Sequence, residues 1–210
     1  GVLWEATDKK LQLVATDGHR LAQAKGPLSE AAAQEVTAIV PGKLMGLINR
    51  VATEEEQTLA VRIQDSQILV RSAGVVLVSS LVQGNFPKYS DVIPKETTVK
   101  ATVNTGQVEH RIRQAALLTT EESRGVRLSF QPEQVTLTSR APEAGEAEVS
   151  CPIQLEGDPL DIAFNPAFLL DALKVADSDQ ISFELNAGNK PAVIRSGTEF
   201  LYVLMPVDTH

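Results

Sequence analysis

The sequence predicts an α+β chain in which one antiparallel scaffold is used twice. Two observations carry that expectation. Elements recur in the same order at a nearly constant spacing of about 125 residues. Within each copy, stretches of two-residue apolar–polar alternation are kept apart from stretches with helical periodicity.

The elements follow in chain order. Gly1-Val2-Leu3 and the alternating Leu11-Gln-Leu13-Val-Ala15 flank the polar turn Thr7-Asp-Lys-Lys10, the pattern of a β-hairpin. In the second copy, Gly125-Val126-Arg127 and Val135-Thr-Leu137-Thr-Ser139 flank Gln131-Pro-Glu-Gln134 in the same way. Next comes a helix led by Pro41 with Leu44, Met45 and Ile48 on one stripe, answered by Pro166 with Leu169, Leu170 and Leu173. A proline is expected at the first helical position of each, with Asn165 as N-cap of the second. Three alternating runs then close each copy: residues 59–63, 68–70 and 74–81 in the first, 181–185, 192–194 and 198–205 in the second.

The second copy alone opens with a short strand at 99–103 and a helix over 104–120, whose apolar stripe is Val108, Ile112, Ala115 and Ala116. The first unit therefore reads as beheaded, and the chain as a piece of something longer. A full unit reads strand, helix, hairpin, then helix and three strands. The boundary is expected where Ile93-Pro94-Lys-Glu-Thr-Thr98 interrupts the apolar pattern, giving domains 1–95 and 96–210.

Composition narrows the function classes. The 210 residues are 43% hydrophobic and 22% charged, with a net charge of −8. That is the composition of a globular protein. The single cysteine, Cys151, excludes an internal disulfide and a cysteine-based zinc site. No apolar stretch is as long as a membrane span, and the first residues lack the basic segment of a secretion signal, so a cytoplasmic setting is expected. The acidic balance argues against tight, sequence-independent DNA binding by bulk charge.

Among chemistry-bearing stretches, Val14-Ala-Thr16-Asp17-Gly18-His19-Arg20-Leu21 is the most unusual. One reading makes His19 a general base oriented by Asp17, as in a small cytoplasmic hydrolase. The other is a hydrogen-bonded turn in which Arg20 caps a strand end. Neighbours this close on a turn rarely orient each other's side chains, and the sequence has no nucleophile elbow, metal-spaced histidine pair or glycine-rich phosphate loop. No cofactor or metal is expected. Phe86-Pro87-Lys-Tyr89 with Val92-Ile93-Pro94 reads as a hydrophobic plug, and Tyr202-Val203-Leu204-Met205-Pro206-Val207 as core or as an adaptable groove wall. Leu117 and Leu118 extend the second-copy helix stripe, as extra core or as a patch for another subunit. The helices carry a small cationic excess through Lys43, Arg50, Arg111, Arg113 and Lys174, while acids gather elsewhere, at 54–56 and 143–148.

Taken together, Thr16-Asp-Gly-His-Arg-Leu21-Ala22, Gly84-x-Phe-Pro87-x-Tyr89-x-x-Val92-Ile-Pro94, Arg124-Gly-Val-Arg-Leu128 and the closing Tyr202–Val207 strand resemble the bacterial DNA sliding-clamp family, the beta subunit of the replicative DNA polymerase III. The resemblance runs through the whole chain. It implies the repeated DNA-clamp fold, with antiparallel sheets outside and two helices per complete unit on the inner face. Residues 1–95 would be most of the second clamp domain, and 96–210 the third.

It further implies a non-catalytic processivity factor whose full-length homodimer encircles duplex DNA. The polymerase, clamp loader and repair proteins would dock through short Gln-Leu-x-Leu-Phe-like peptides. The implied peptide groove uses Thr16, Gly18, His19, Arg20, Leu21, Pro87, Val92, Val203, Met205, Pro206 and Val207. Lys43, Arg50, Arg111, Arg113, Arg124 and Lys174 would face DNA, and Leu117 and Leu118 the partner protomer. Asp91 and Asp208 stand where family members often carry arginine.

Overall fold

The computed structural model describes residues 1–52, 58–72, 74–119, 125–141 and 145–208. They divide into two units, one of Gly1–Thr16 with Gln23–Pro87 and one of Asp17–Ala22 with Lys88–His210. The short segment at 17–22 thus packs with residues far along the chain.

In the N-terminal unit, β1 (Val2–Thr7), β2 (Lys10–Thr16), the greater part of β3 (Arg20–Pro27) and β4 (Val36–Val40) lie in the order β3-β2-β1-β4, with β1 antiparallel to both β2 and β4. The first hairpin turns on Asp8, at φ 50°, a conformation that a short polar side chain tolerates better than most. Helix α1 (Gly42–Val51) follows, then a second antiparallel sheet of β5 (Ala60–Gln64), β6 (Gln67–Ser72) and β7 (Val75–Ser80). Leu44 and Ile48 bring one face of α1 into a core with Trp4, Val40, Ile68 and Val70. Pro41 does not open the helix. Its φ of −60° and ψ of 137° are extended, so it stands just ahead of α1, and its carbonyl accepts from the Leu44 and Met45 N–H groups.

The C-terminal unit holds a one-turn 3-10 helix (Tyr89–Asp91), β8 (Val99–Asn104), α2 (Thr105–Ala116), β9 (Val126–Phe130), β10 (Gln134–Ala141), β11 (Gly145–Glu156) and β12 (Leu160–Phe164). It continues with α3 (Pro166–Leu173), β13 (Gln180–Leu185), β14 (Ala192–Ser196) and β15 (Phe200–Leu204). The strands lie in the order β12-β9-β10-β11-β8-β13-β14-β15, each antiparallel to its neighbours. Both helices start at asparagine caps: Asn104 Oδ1 accepts from Gln107 N–H and Asn165 Oδ1 from Ala167 N–H, each at 2.9 Å. Pro166 takes the first helical turn as expected.

Helix α2 ends short of the expected 104–120, and α3 closes at Leu173, the last residue of its expected stripe. The amides of Leu117, Val175 and Ala176 reach back three residues instead of four, so the last turns tighten and stop. Ser139 Oγ donates to the Ala115 carbonyl at 2.6 Å and reinforces the end of α2, where that carbonyl also accepts a long bond from the Leu118 N–H.

The repeat is visible in strand register. Leu3 pairs Val14 and Arg127 pairs Thr138; Val2 pairs Val40 and Val126 pairs Phe164. Each second pair is the first advanced by 124 residues. The shared register turns the same face toward the core in both copies, Leu13 and Leu137 among it, while Leu3 and Val14 are buried on the other face, where Arg127 is exposed.

Strands β3, β4, β11 and β12 go beyond the elements expected from the sequence. The long β11 changes partner midway: Pro152 makes the last rung with β10, opposite Gln134, and Ile153 the first with β8, opposite Val103. Proline has no N–H to give a ladder, so the handover between partners is where it costs least. Gly157, at φ 101°, ends β11 against the Thr98 carbonyl with no space for a side chain.

Candidate functional site

The corner between β2 and β3 is built by Asp17. Its Oδ1 accepts from the backbone N–H groups of both His19 and Arg20 at 3.0 Å, and Gly18 turns the chain at φ 89°. Its Oδ2 accepts from Arg20 Nε at 2.9 Å. The same guanidinium donates through Nη1 to Asp171 Oδ2 on α3 at 2.8 Å and to the Tyr202 hydroxyl on β15 at 3.2 Å. It also lies 4.2 Å from the centroid of the Phe168 ring. The His19 carbonyl accepts from the Met205 N–H at 3.0 Å, and beyond it Val207 N–H donates to the Ala163 carbonyl at 2.9 Å. All of these residues belong to the C-terminal unit.

The expected groove residues separate by burial. Leu21 and Val203 are core. Met205 and Val92 are open, 42% and 50% exposed, His19 is exposed, and Pro206 and Val207 are half-buried. Thr16 ends β2, half-buried, and Pro87 is exposed; both belong to the N-terminal unit.

The hydrolase reading loses its geometry here. The Asp17 carboxylate is committed to two backbone amides and to Arg20, and among the described residues no hydrogen bond joins it to the His19 ring. Without that partner His19 has no orienting group. Among the described residues there is also no group of three or more His, Cys, Asp and Glu side chains placed to hold a metal, and no helix long and apolar enough to cross a membrane.

The charges reinforce one another. Bonds from Arg20 and then Lys174 hold the Asp171 carboxyl below its ordinary value. For Asp17, partial burial works upward, but the bonds from Arg20 and from the His19 and Arg20 amides outweigh it and its pKa is lowered. Burial works against the Arg20 charge, and Asp171, Asp17 and Tyr202 more than restore it. Burial pushes the Tyr202 hydroxyl upward.

A pH prediction follows with a definite sign. Carboxyls depressed in the folded state add stability above their unfolded value of about 3.9 and lose it as the pH falls through the lower folded values. The pairs are partly exposed, so each contributes only about 0.2–1 kcal/mol. The urea midpoint of Asp171→Asn should therefore fall less than that of the parent chain between pH 6 and pH 3. Parallel pH profiles would refute this.

The remaining expected positions are scattered over the helices. Lys43 and Arg50 are exposed on α1, opposite buried Leu44 and Ile48. On α2, Arg111 Nη1 donates to Gln114 Oε1 at 2.8 Å, and Arg113 pairs with Glu109 at 2.6 Å. Lys174, just past α3, pairs with Asp171 at 3.1 Å. Arg124 lies outside the described residues. Leu117 is 80% exposed and Leu118 half-buried.

Sequence reasoning did not find Phe168, Asp171 and Tyr202 as partners of the corner. Asp171 and Arg20 are 151 residues apart, and no local pattern links them.

Comparison with known proteins settles the family. The central domain of the DNA polymerase III beta subunit matches residues 1–88, and the C-terminal domain of the same subunit matches residues 90–208. The chain belongs to the DNA polymerase III beta subunit family.

Among its relatives, the beta sliding clamp of Chlamydia muridarum is 32% identical over 210 residues, which is all of this chain and 57% of that protein. The crystal structure of the DNA polymerase III subunit beta from Pseudomonas aeruginosa superposes with a TM-score of 0.91 at 30% identity, covering 99% of this chain and 58% of the other. The DNA polymerase sliding clamp of Bacillus subtilis superposes at 0.93, also at 30% identity, covering 100% of this chain and 57% of the other. The clamp fold is therefore the fold of this beta-family chain, which spans a little over half the length of the relatives it matches.

Proposed function

We propose that this chain acts as a DNA polymerase processivity factor, part of a sliding clamp that surrounds duplex DNA and tethers the polymerase, clamp loader and repair proteins. It works by holding, without making or breaking bonds. The reading rests above all on the corner: a turn locked by Asp17 and Arg20 gives its His19 carbonyl to the Met205 amide, and leaves Met205, Val92 and His19 open to solvent. An exposed apolar side chain on a rigid backbone, rimmed by polar turn groups, suits an extended apolar peptide. Gly18, Arg20, Leu21, Val203, Pro206 and Val207 frame it. The ligand is a Gln-Leu-x-Leu-Phe-like segment.

Fluorescence polarisation with a labelled Gln-Leu-Ala-Leu-Phe peptide tests the reading on the 210-residue chain. Binding in the micromolar range, competed by unlabelled peptide, is expected. No saturable binding up to millimolar protein would overturn it.

The DNA role rests on a different physical requirement. A ring retains DNA by topology, so its lining needs weak, mobile phosphate contacts. Lys43, Arg50 and Arg111 with the acid-paired Arg113 and Lys174 fit that need on a chain of net charge −8. Arg124 is proposed with them. Closure into a homodimeric ring would place Leu117 and Leu118 at the protomer contact, and the setting is the cytoplasm. Linear duplex should bind this chain weakly. With about three phosphate contacts, affinity should drop roughly 40-fold between 50 and 200 mM salt. Submicromolar binding that survives 200 mM salt would count against encirclement.

A further inference from the structure

We infer that Arg20 is a positioning residue of the peptide site, and that Phe168, Asp171 and Tyr202 hold the site in register through it. The inference rests on the peptide-binding reading and adds residues of α3 and β15 to it. Arg20 ties three pieces of chain together: the corner through Asp17 Oδ2, α3 through Asp171 Oδ2 and the Phe168 ring, and β15 through the Tyr202 hydroxyl. Its charge is already matched by two carboxylates, one face of its plane is stacked, and its side chain is only 27% exposed. Three of its five N–H groups are committed to Asp17, Asp171 and Tyr202. Arg20 therefore acts by holding the corner and offers little charge to a partner.

The consequence reaches Met205. The corner hinges on Gly18, and the same corner supplies the carbonyl that fixes the Met205 amide. With the guanidinium clamp in place, the corner, α3 and the end of β15 form one frame. With it cut, the corner can swing on its glycine and the Met205 side chain loses its setting. A lysine cannot substitute. One ammonium on a flexible stem does not reach Asp17, Asp171 and Tyr202 together or stack as a plane on Phe168.

Two readouts on the 210-residue chain decide the question: affinity for the labelled Gln-Leu-Ala-Leu-Phe peptide, and amide hydrogen exchange at Met205. Arg20→Lys, which cuts every arm at once, should weaken the peptide at least fivefold and speed Met205 exchange at least tenfold, and Asp171→Asn and Phe168→Leu should each shift both by about two- to fivefold. Arg195→Gln, which removes an ion pair with Glu184 elsewhere on the unit, should change neither. Adding Asp171→Asn to Arg20→Lys should cost less than a further twofold, because the clamp is already open. An Arg20→Lys variant with wild-type affinity and wild-type Met205 exchange would overturn the inference. So would full additivity of the two substitutions. If the parent chain fails to bind the peptide, the peptide reading falls, while the exchange data still decide whether Arg20 positions the corner.

Discussion

Met205→Ala should weaken binding of the Gln-Leu-Ala-Leu-Phe peptide by at least tenfold while leaving the thermal midpoint within about two degrees of the parent chain. The two halves of that expectation have one cause. The Met205 backbone is fixed by its N–H···O=C bond to His19, yet its side chain is 42% exposed, so it contributes to a ligand surface and little to the core. An unbranched thioether adapts to irregular apolar partners. Covering the exposed part of the side chain is worth roughly 0.6–1.3 kcal/mol and the peptide's own apolar side chain gains about as much from the contact, whereas a tenfold loss is about 1.4 kcal/mol. Met205→Leu keeps most of the apolar area and should stay within about threefold. Equal affinities for the parent chain and Met205→Ala, measured by polarisation, would place the peptide elsewhere.

The second large effect is on folding. Phe183→Ala should destabilise the C-terminal unit by about 3–5 kcal/mol. Phe183 is fully buried at the centre of β13, opposite Ala101 on β8 and Ile194 on β14. Its ring lies 5.6 Å from that of Phe130 at an interplanar angle of 53°, a tilted pair that joins β13 to β9 across the core. Truncation removes the ring's buried area and leaves a cavity that Phe130, Leu169 and Ile112 cannot all move to fill. A fall of roughly 10–20 °C in the midpoint of that unit should result. Calorimetry of Phe183→Ala and Phe183→Leu checks it, with leucine the milder change. A loss below about 1 kcal/mol for alanine would mean that the core is less closely packed than its burial implies.

These effects differ in how far they could be read from the chain. The hairpins, their repeat and the helix starts are local matters, and they were legible. Alternation marks Leu11 and Leu13 of β2, which pack half-buried on the core, and in the same register 124 residues later Val135 and Leu137 of β10, which are buried; the burial of Leu3 and Val14 on the other face has no such local sign. Asn104 and Asn165 mark helix starts because a side-chain oxygen two or three residues ahead of an unpaired amide is a short-range fact. The helix ends were less legible, since Leu117 and Val175 continue the apolar pattern while the backbone tightens. β11 leaves little local signal because its first half is largely exposed, with Glu146 and Glu148 among its residues, and its meaning lies in a change of partner at Pro152.

The candidate site divides the same way. Asp17-Gly18 announces a turn from two adjacent residues, and Met205-Pro206 announces the end of a strand. That Arg20 of the turn should meet Asp171 and Phe168 on α3 and Tyr202 on β15 is set by contacts 151 and 182 residues away in sequence. Short-range preferences act through neighbouring backbone and side chains, so they are written residue by residue. The union of distant groups into one charged, stacked cluster depends on how whole sheets and helices pack. Turns, registers and caps belong to the sequence alone; the clamp on the corner exists only in the folded unit.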